Sequence, residues 1–339
     1  MSYVSKSARK AAITLAAVAS AAMVQTSNAA ITNMVSFGDS LSDSGNVHAM
    51  LGNFVAPYAG LNSNGPVWTG HLSEALGLGT HTGSLTGGTA WGYAGARAEE
   101  ASFLVAPDVL AAGHPGIPNV PVQTQVNAYL AANNGVADPN TLYTVWAGAN
   151  DALYAAATPG GTVAIPLAAN SVANIADQLM DSGATSVLVM NLPNIGLTPR
   201  QNGDPAAAAG GNFISVQFNS ALTAAIDAIA DGRNIVIHDA YTWTGALVAS
   251  GPSDGLNVTD QCFVAPDADT GSAGSLCSDP ENYMWWDEIH PTTAGHALLA
   301  ADVLNTVNNL DVAAVPVPAA AWLFMSGIVG LAAARKGKK

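Results

Sequence analysis

The chain has 339 residues, 49% of them apolar and only 10% charged, enough for one large domain or two small ones and far too apolar for a disordered linker. Seven of its ten Lys and Arg lie at the two ends, Lys6, Arg9 and Lys10 before the first apolar run and Arg335, Lys336, Lys338 and Lys339 after the last. Only Arg97, Arg200 and Arg233 are left between them, against all 24 acids, and such a polyanion cannot neutralise phosphates, which excludes nucleic acid as a partner.

Residues 1–30 combine a basic start, an apolar stretch over 11–24 that is short for a membrane span, and small residues at Ser27, Ala29 and Ala30. They read as a cleaved export signal. Residues 31–314 then form the folded part, without internal repeats.

Along that part short β-branched runs alternate with helical patterns. Residues 31–37 predict a strand ending at Gly38-Asp39-Ser40; residues 141–146 predict a second ending at Ala147-Gly148-Ala149-Asn150-Asp151. Ile165, Val172, Ala176 and Leu179 share one helical face that stops at Gly183, before a third strand over 185–190. Phe218, Leu222, Ala225 and Ile229 form another face before Gly232, and residues 234–238 predict a fourth strand ending at Asp239. Residues 241–250 are helix-like, and Thr292-Thr293-Ala294-Gly295 leads into a last apolar helix. Strands regularly spaced by helices imply a parallel sheet covered on both faces, with function at the carboxyl ends of the strands.

Cys262 and Cys277 are separated by fourteen residues rich in Gly, Ser and Asp. On the oxidising side of a membrane a disulfide is favoured over a metal site, and closing a loop of that size stabilises a fold by roughly 3 kcal/mol in the chain-entropy account. If the bridge forms, this loop is expected at the rim of the site. Asp267-Ala268-Asp269 hints at a calcium loop, but Ser272 and Ser278 stand where a glycine and an acid are needed. No metal or other cofactor is expected.

Two serines compete as nucleophile. Gly251-Pro252-Ser253-Asp254-Gly255 matches the G-x-S-x-G elbow in letters, but a helix-like stretch precedes it where a strand is required. Ser40 follows a strand directly, with Asp43-Ser44-Gly45-Asn46 placed to start a helix behind it, where backbone N–H groups would face an oxyanion. A serine needs a base and a group to orient that base, and Asp287-Glu288-Ile289-His290-Pro291 offers both, an acid three residues before a histidine.

Together these segments resemble the GDSL or SGNH-hydrolase esterases and lipases. Phe37-Gly38-Asp39-Ser40-Leu41-Ser42-Asp43-Ser44-Gly45-Asn46 is similar to the nucleophile block, Gly148-Ala149-Asn150-Asp151 to the G-x-N-D block, and Asp287-Glu288-Ile289-His290-Pro291 to the D-x-x-H-P block. Asn64-Gly65-Pro66-Val67-Trp68 looks like the short segment after the first helix. The resemblance implies a single-domain, three-layer α/β/α fold of flavodoxin-like type with a central parallel sheet. It implies hydrolysis of acyl esters through an acyl-enzyme, with Ser40 as nucleophile, His290 as general base and then acid, and Asp287 as its orienting partner. The oxyanion hole would comprise the Ser40 N–H, a glycine N–H of the second block and the Asn150 amide, while Asp39, Asp43 and Asn46 fasten the turn. Members read roughly N-Y-A-x-G-G-A in the second block, where this chain has Ala90-Trp91-Gly92-Tyr93-Ala94-Gly95-Ala96. That alignment makes Gly95 the donor, with Gly92 in reserve.

Two other readings stand beside esterase: a catalytically silent surface or extracellular-matrix protein, and an acyltransferase using the same acyl-enzyme. Trp68, Trp91, Tyr93, Trp146, Trp243, Trp285 and Trp286 are candidate walls of an acyl or sugar pocket as well as candidate core; Trp285 and Trp286 are the strongest, being next to Asp287.

At the far end, Val315-Pro316-Val317-Pro318 leads into sixteen uncharged residues, 319–334. As a helix these rise only about 24 Å, short of the roughly 30 Å hydrocarbon core. Residues 315–339, most specifically Val317-Pro318-Ala319-Ala320-Ala321-Trp322-Leu323, resemble the PEP-CTERM sorting signal of Gram-negative bacteria, with Val317 in place of the usual Glu. That resemblance implies export, transient inner-membrane anchoring by a positive-inside tail, processing by an exosortase-type enzyme, and a final place at the cell surface or outside the cell. A permanent single anchor is the competing reading.

Overall fold

In the computed structural model, the residues described are 31–51, 58–98, 120–158, 160–251, 255–267, 269 and 272–310. The export and sorting segments and Ser253 lie outside them. Four short apolar runs become the strands β1 (Asn33–Gly38), β2 (Thr141–Trp146), β3 (Val187–Met190) and β4 (Ile235–His238). They pair side by side in that order, all parallel, with Ser36 opposite Thr144, Thr144 opposite Leu188 and Leu188 opposite Val236. β2 and β3 are buried at every position, which is why they read as near-continuous apolar runs rather than as alternating ones.

Outside β1 a further stretch attaches in parallel. Ser36 N donates to the Thr89 carbonyl, Trp91 N to the Ser36 carbonyl at 2.7 Å and Tyr93 N to the Gly38 carbonyl at 3.0 Å. Taken in chain order, the sheet then runs 2-1-3-4-5, the flavodoxin-like doubly wound order, whose crevice opens between the first and third strands. Ser40 and Asn150 follow those two strands.

The helices are α1 (Asn46–Leu51), α2 (Trp68–Ala75), α3 (Val122–Ala132), α4 (Ala149–Ala157), α5 (Ile165–Asp181), α6 (Pro199–Asn202), α7 (Pro205–Ile229), α8 (Ala240–Ser250) and α9 (Thr293–Asn308). On one sheet face Val35, Phe37, Tyr143, Val145, Val187 and Val189 pack with α3, α5 and α7 in one core. On the other, His238 Nδ1 meets Thr306 Oγ1 of α9 at 2.9 Å, and α9 packs on α2. The result is the helix-covered parallel sheet that the alternation predicted, in the three-layer α/β/α single domain that the resemblance implied. The expected face of α5 is buried throughout, and α7 starts where Pro205 takes the first helical position and the Asp204 carboxylate caps Ala206 N at 2.8 Å.

Before α9, the parallel pair β5 (Asn257–Gln261) and β8 (Tyr283–Trp285) lies next to a hairpin of β6 (Phe263–Val264) and β7 (Ser275–Leu276). A Cys262–Cys277 disulfide closes that hairpin.

Candidate active site

The turn after β1 is built by carboxylates. Asp39 is buried; its Oδ1 accepts Leu41 N at 3.0 Å, and Ser42 N donates to the Asp39 carbonyl. Asp43 Oδ1 accepts Gly45 N and Asn46 N, and its Oδ2 accepts Val47 N and, from the second block, Ala94 N at 3.0 Å. Asn46 Nδ2 donates to the Ala90 and Gly92 carbonyls, both at 2.9 Å. Asp43 and Asn46 therefore fasten the turn to the second block. Ser40 sits in the strand-to-helix turn as expected: α1 starts at Asn46, within the Asp43–Asn46 segment, and the Asp43 carboxylate takes up the first N–H groups of that helix.

His290 arrives from the loop between β8 and α9. Asp287 Oδ1 folds that loop by accepting Ile289 N at 3.0 Å and His290 N at 2.8 Å, and Trp286 N donates to the His290 carbonyl. Thr292 caps α9 by accepting Gly295 N. The segment after the first helix latches the same corner, since Asn64 Oδ1 accepts Thr293 N at 2.8 Å and Thr293 Oγ1 donates to the Pro66 carbonyl.

These loops bring three side chains into a line. His290 Nδ1 lies 2.9 Å from Asp287 Oδ2 and 3.0 Å from Oδ1, and His290 Nε2 lies 2.9 Å from Ser40 Oγ. The carboxylate accepts, so Nδ1 carries the proton of neutral His290 and Nε2 is left to accept from the serine hydroxyl. Burial alone would push the imidazole pKa down, but the Asp287 carboxylate more than offsets it and the value is raised, with help from Asp39. Asp287 is lowered although burial opposes this, because His290 and the loop N–H groups hold its charge. Asp39, with Oδ2 lacking a hydrogen-bond partner among the described residues, is pushed up by burial to about 7.

Asn150, in the first turn of α4, donates Nδ2 to the Ala96 carbonyl at 2.9 Å. Gly148, which caps that helix, has φ of 114°, and a Cβ there would lie 2.4 Å from the Phe218 ring, so two constraints select glycine. Asp151 turns inward to accept Ala98 N and pair with Arg97, so Asn150 and Asp151 together grip the second block. The two glycines there differ. Gly92 is buried, and a Cβ on it would come 2.7 Å from the Ser42 carbonyl, whereas Gly95 is partly exposed at a left-handed turn, φ 80°.

Ser40, His290 and Asn150 open onto an apolar cleft walled by Trp146, Leu153, Ile195, Trp243, Met284 and Leu299, with Trp285 also lining it. Among the described residues, His290 is the one titratable side chain in that lining. Of the aromatic residues singled out in the sequence, Trp146, Trp243 and Trp285 reach the cleft. Trp286 does not; it is buried, stacked on Phe263 with ring centroids 5.7 Å apart. Trp68 and Trp91 pack inside, and Tyr93 joins Val47 and Ala94 in a small cluster. No described residue of the disulfide hairpin lines the cleft; the hairpin backs the loop that carries Asp287, with Phe263 N donating to the Trp286 carbonyl.

Tyr58 was not legible as a site residue. Its hydroxyl donates to Asp287 Oδ2 at 3.0 Å, a pairing across more than two hundred positions that no local pattern signals. Arg200, at the start of α6, also holds the loop, donating its backbone N–H to the Glu288 carbonyl and pairing with the Glu288 carboxylate.

The profile of the GDSL-like lipase/acylhydrolase family matches residues 34–303. The chain belongs to that family. This GDSL chain is 28% identical over 299 residues to a thermolabile hemolysin of Vibrio parahaemolyticus, with 83% of the chain and 65% of the hemolysin covered. It is 25% identical to a phosphatidylcholine-sterol acyltransferase of Aeromonas hydrophila, with 81% and 89% covered. The chain thus spans just under two thirds of the hemolysin and most of the acyltransferase. Among solved structures, a lipolytic G-D-S-L family protein from Veillonella parvula is 16% identical with a TM-score of 0.43, covering 82% of this chain and 99% of its own. An acetylxylan esterase variant from Geobacillus stearothermophilus is 13% identical with a TM-score of 0.44, covering 81% and 94%.

Proposed function

We propose that the protein is an exported serine esterase that hydrolyses acyl esters through an acyl-enzyme on Ser40. The observation that carries this reading is the 2.9 Å approach of His290 Nε2 to Ser40 Oγ, with Asp287 behind the imidazole, at the mouth of an apolar cleft. His290 takes the hydroxyl proton as the oxygen attacks the ester carbonyl, then returns it to the leaving alcohol; water repeats the sequence to free the acid. The Ser40 N–H, the Gly95 N–H and the Asn150 amide receive the developing oxyanion. No metal or nucleotide takes part.

The cleft supports an acyl chain as its occupant rather than an acetylated sugar, because its walls offer carbon and aromatic surface and few polar groups to receive sugar hydroxyls. A silent surface protein would have no need of a half-buried imidazole paired at both nitrogens. Acyl transfer to an alcohol uses the same acyl-enzyme, and the likeness to the Aeromonas acyltransferase keeps it as the second reading. The terminal segments carry the proposal that the enzyme is exported, held transiently at the inner membrane, cut by an exosortase-type protease and released to the cell surface or beyond.

Turnover of a p-nitrophenyl ester tests the central assignment. Ser40→Ala abolishes it and Ser253→Ala leaves it intact; the reverse pattern refutes the proposal. Adding an alcohol acceptor and analysing products separates hydrolysis from transfer.

A further inference from the structure

Asp287 is held from two sides. Its own loop satisfies Oδ1, and on Oδ2 it receives the Tyr58 hydroxyl at 3.0 Å beside the His290 ring. The Tyr58 ring meets Phe263 edge-on, with centroids 5.5 Å apart, and Trp286 at 6.1 Å. Phe263 in turn stacks on Trp286 and follows Cys262 of the disulfide directly. The hairpin backbone is laced to the strand leading into Asp287: Cys262 N donates to the Trp285 carbonyl at 3.0 Å, Phe263 N to the Trp286 carbonyl at 2.7 Å, and Cys277 N to the Cys262 carbonyl at 2.8 Å.

We propose that Tyr58 is a positioning residue for Asp287, and that the disulfide hairpin holds Tyr58 in place through Phe263. The inference rests on the reading of Ser40, His290 and Asp287 as the catalytic line. A carboxylate rotates easily about its last bond, and a donor fixed on one oxygen sets its plane toward the imidazole. The same donor turns the positive end of its dipole to the carboxylate and so weakens the negative potential at His290. Tyr58 thus exchanges some basicity of His290 for orientation. Burial and the neighbouring Asp287 push its own pKa up, so it stays a protonated donor across the working range. The other charged or titratable groups facing His290 are Asp39 from the nucleophile turn, Arg200 from α6 and His296 from α9; Glu288, on the same loop, is paired with Arg200.

The test is an NMR pH titration of the His290 ring in the full-length protein, assigned by its loss in His290→Gln, with ester turnover measured on the same samples. Tyr58→Phe keeps the ring and removes the donor. Its His290 midpoint should rise, and kcat should fall about 5- to 20-fold with KM within about twofold. Removing the disulfide as Cys262→Ala with Cys277→Ala should also raise the midpoint and lower kcat, and most of that loss should vanish when Tyr58 is already Phe. An unmoved or lowered midpoint in folded Tyr58→Phe overturns the positioning role. A disulfide loss that multiplies undiminished onto Tyr58→Phe overturns the hairpin's part. Should the cysteine variant not fold, Phe263→Leu takes its place under the same criteria. The titration needs no turnover, so failure of the esterase reading would show separately, as turnover that survives Ser40→Ala.

Discussion

The Asn150 side-chain amide donates to the Ala96 carbonyl at 2.9 Å, joining the start of α4 to the loop that carries Gly95. One N–H of the amide aims the group, and the second is the one assigned to the oxyanion. Asn150→Ala should therefore cost about 2.7–4 kcal/mol in the barrier, a 10²- to 10³-fold loss of kcat with KM changed only a few fold. Steady-state kinetics on a single ester checks this. A loss confined to KM would place Asn150 in substrate binding instead.

Asp39 supplies a prediction in pH. His290 must be neutral to act as base, so turnover falls as pH drops through its raised pKa, and Asp39 is among the groups that raise it. Asp39→Asn should move the acid limb of kcat/KM to lower pH. Stability carries the complementary sign. Burial lifts Asp39 from 3.8 to about 7, so the folded protein keeps a proton that the unfolded chain has already lost, and stability declines as pH rises across that window. Urea melts of Asp39→Asn should show a flatter profile there. The raised pKa of His290 acts in the same direction: its contribution is complete below the ordinary histidine value and is lost as pH climbs through the folded one.

Ala240 lines the cleft at the first position of α8 and is 1% exposed. Ala240→Phe should fill space that the acyl chain occupies. The kcat/KM for an octanoyl ester should then fall about 10- to 100-fold, while that for an acetyl ester stays within about threefold. A graded series of p-nitrophenyl esters reads this directly. Equal losses at every chain length would move the acyl site elsewhere.

The sheet was legible because its strands are largely buried, the central two at every position, and bounded by turn residues; residues 141–146 form β2 as the β-branched run predicts. The Ser40, Asn150 and His290 segments were legible because each is a compact local pattern. Trp286 was misjudged since adjacency to Asp287 says nothing of direction: successive residues at the end of β8 point opposite ways, Trp285 to the cleft and Trp286 to Phe263. The α1 start was legible too, because an Asp that accepts the N–H groups two and three residues on is a local signal. Tyr58 lay beyond reach, because its partner is fixed by tertiary packing alone.

The central claim is a chemical one, that the Ser40 hydroxyl is activated by His290. Treating the folded protein with a fluorophosphonate and mapping the adduct by peptide mass spectrometry tests it most directly. A single phosphonyl group is expected on Ser40, absent in His290→Ala. An adduct on another serine, or none on folded wild-type protein, would contradict it.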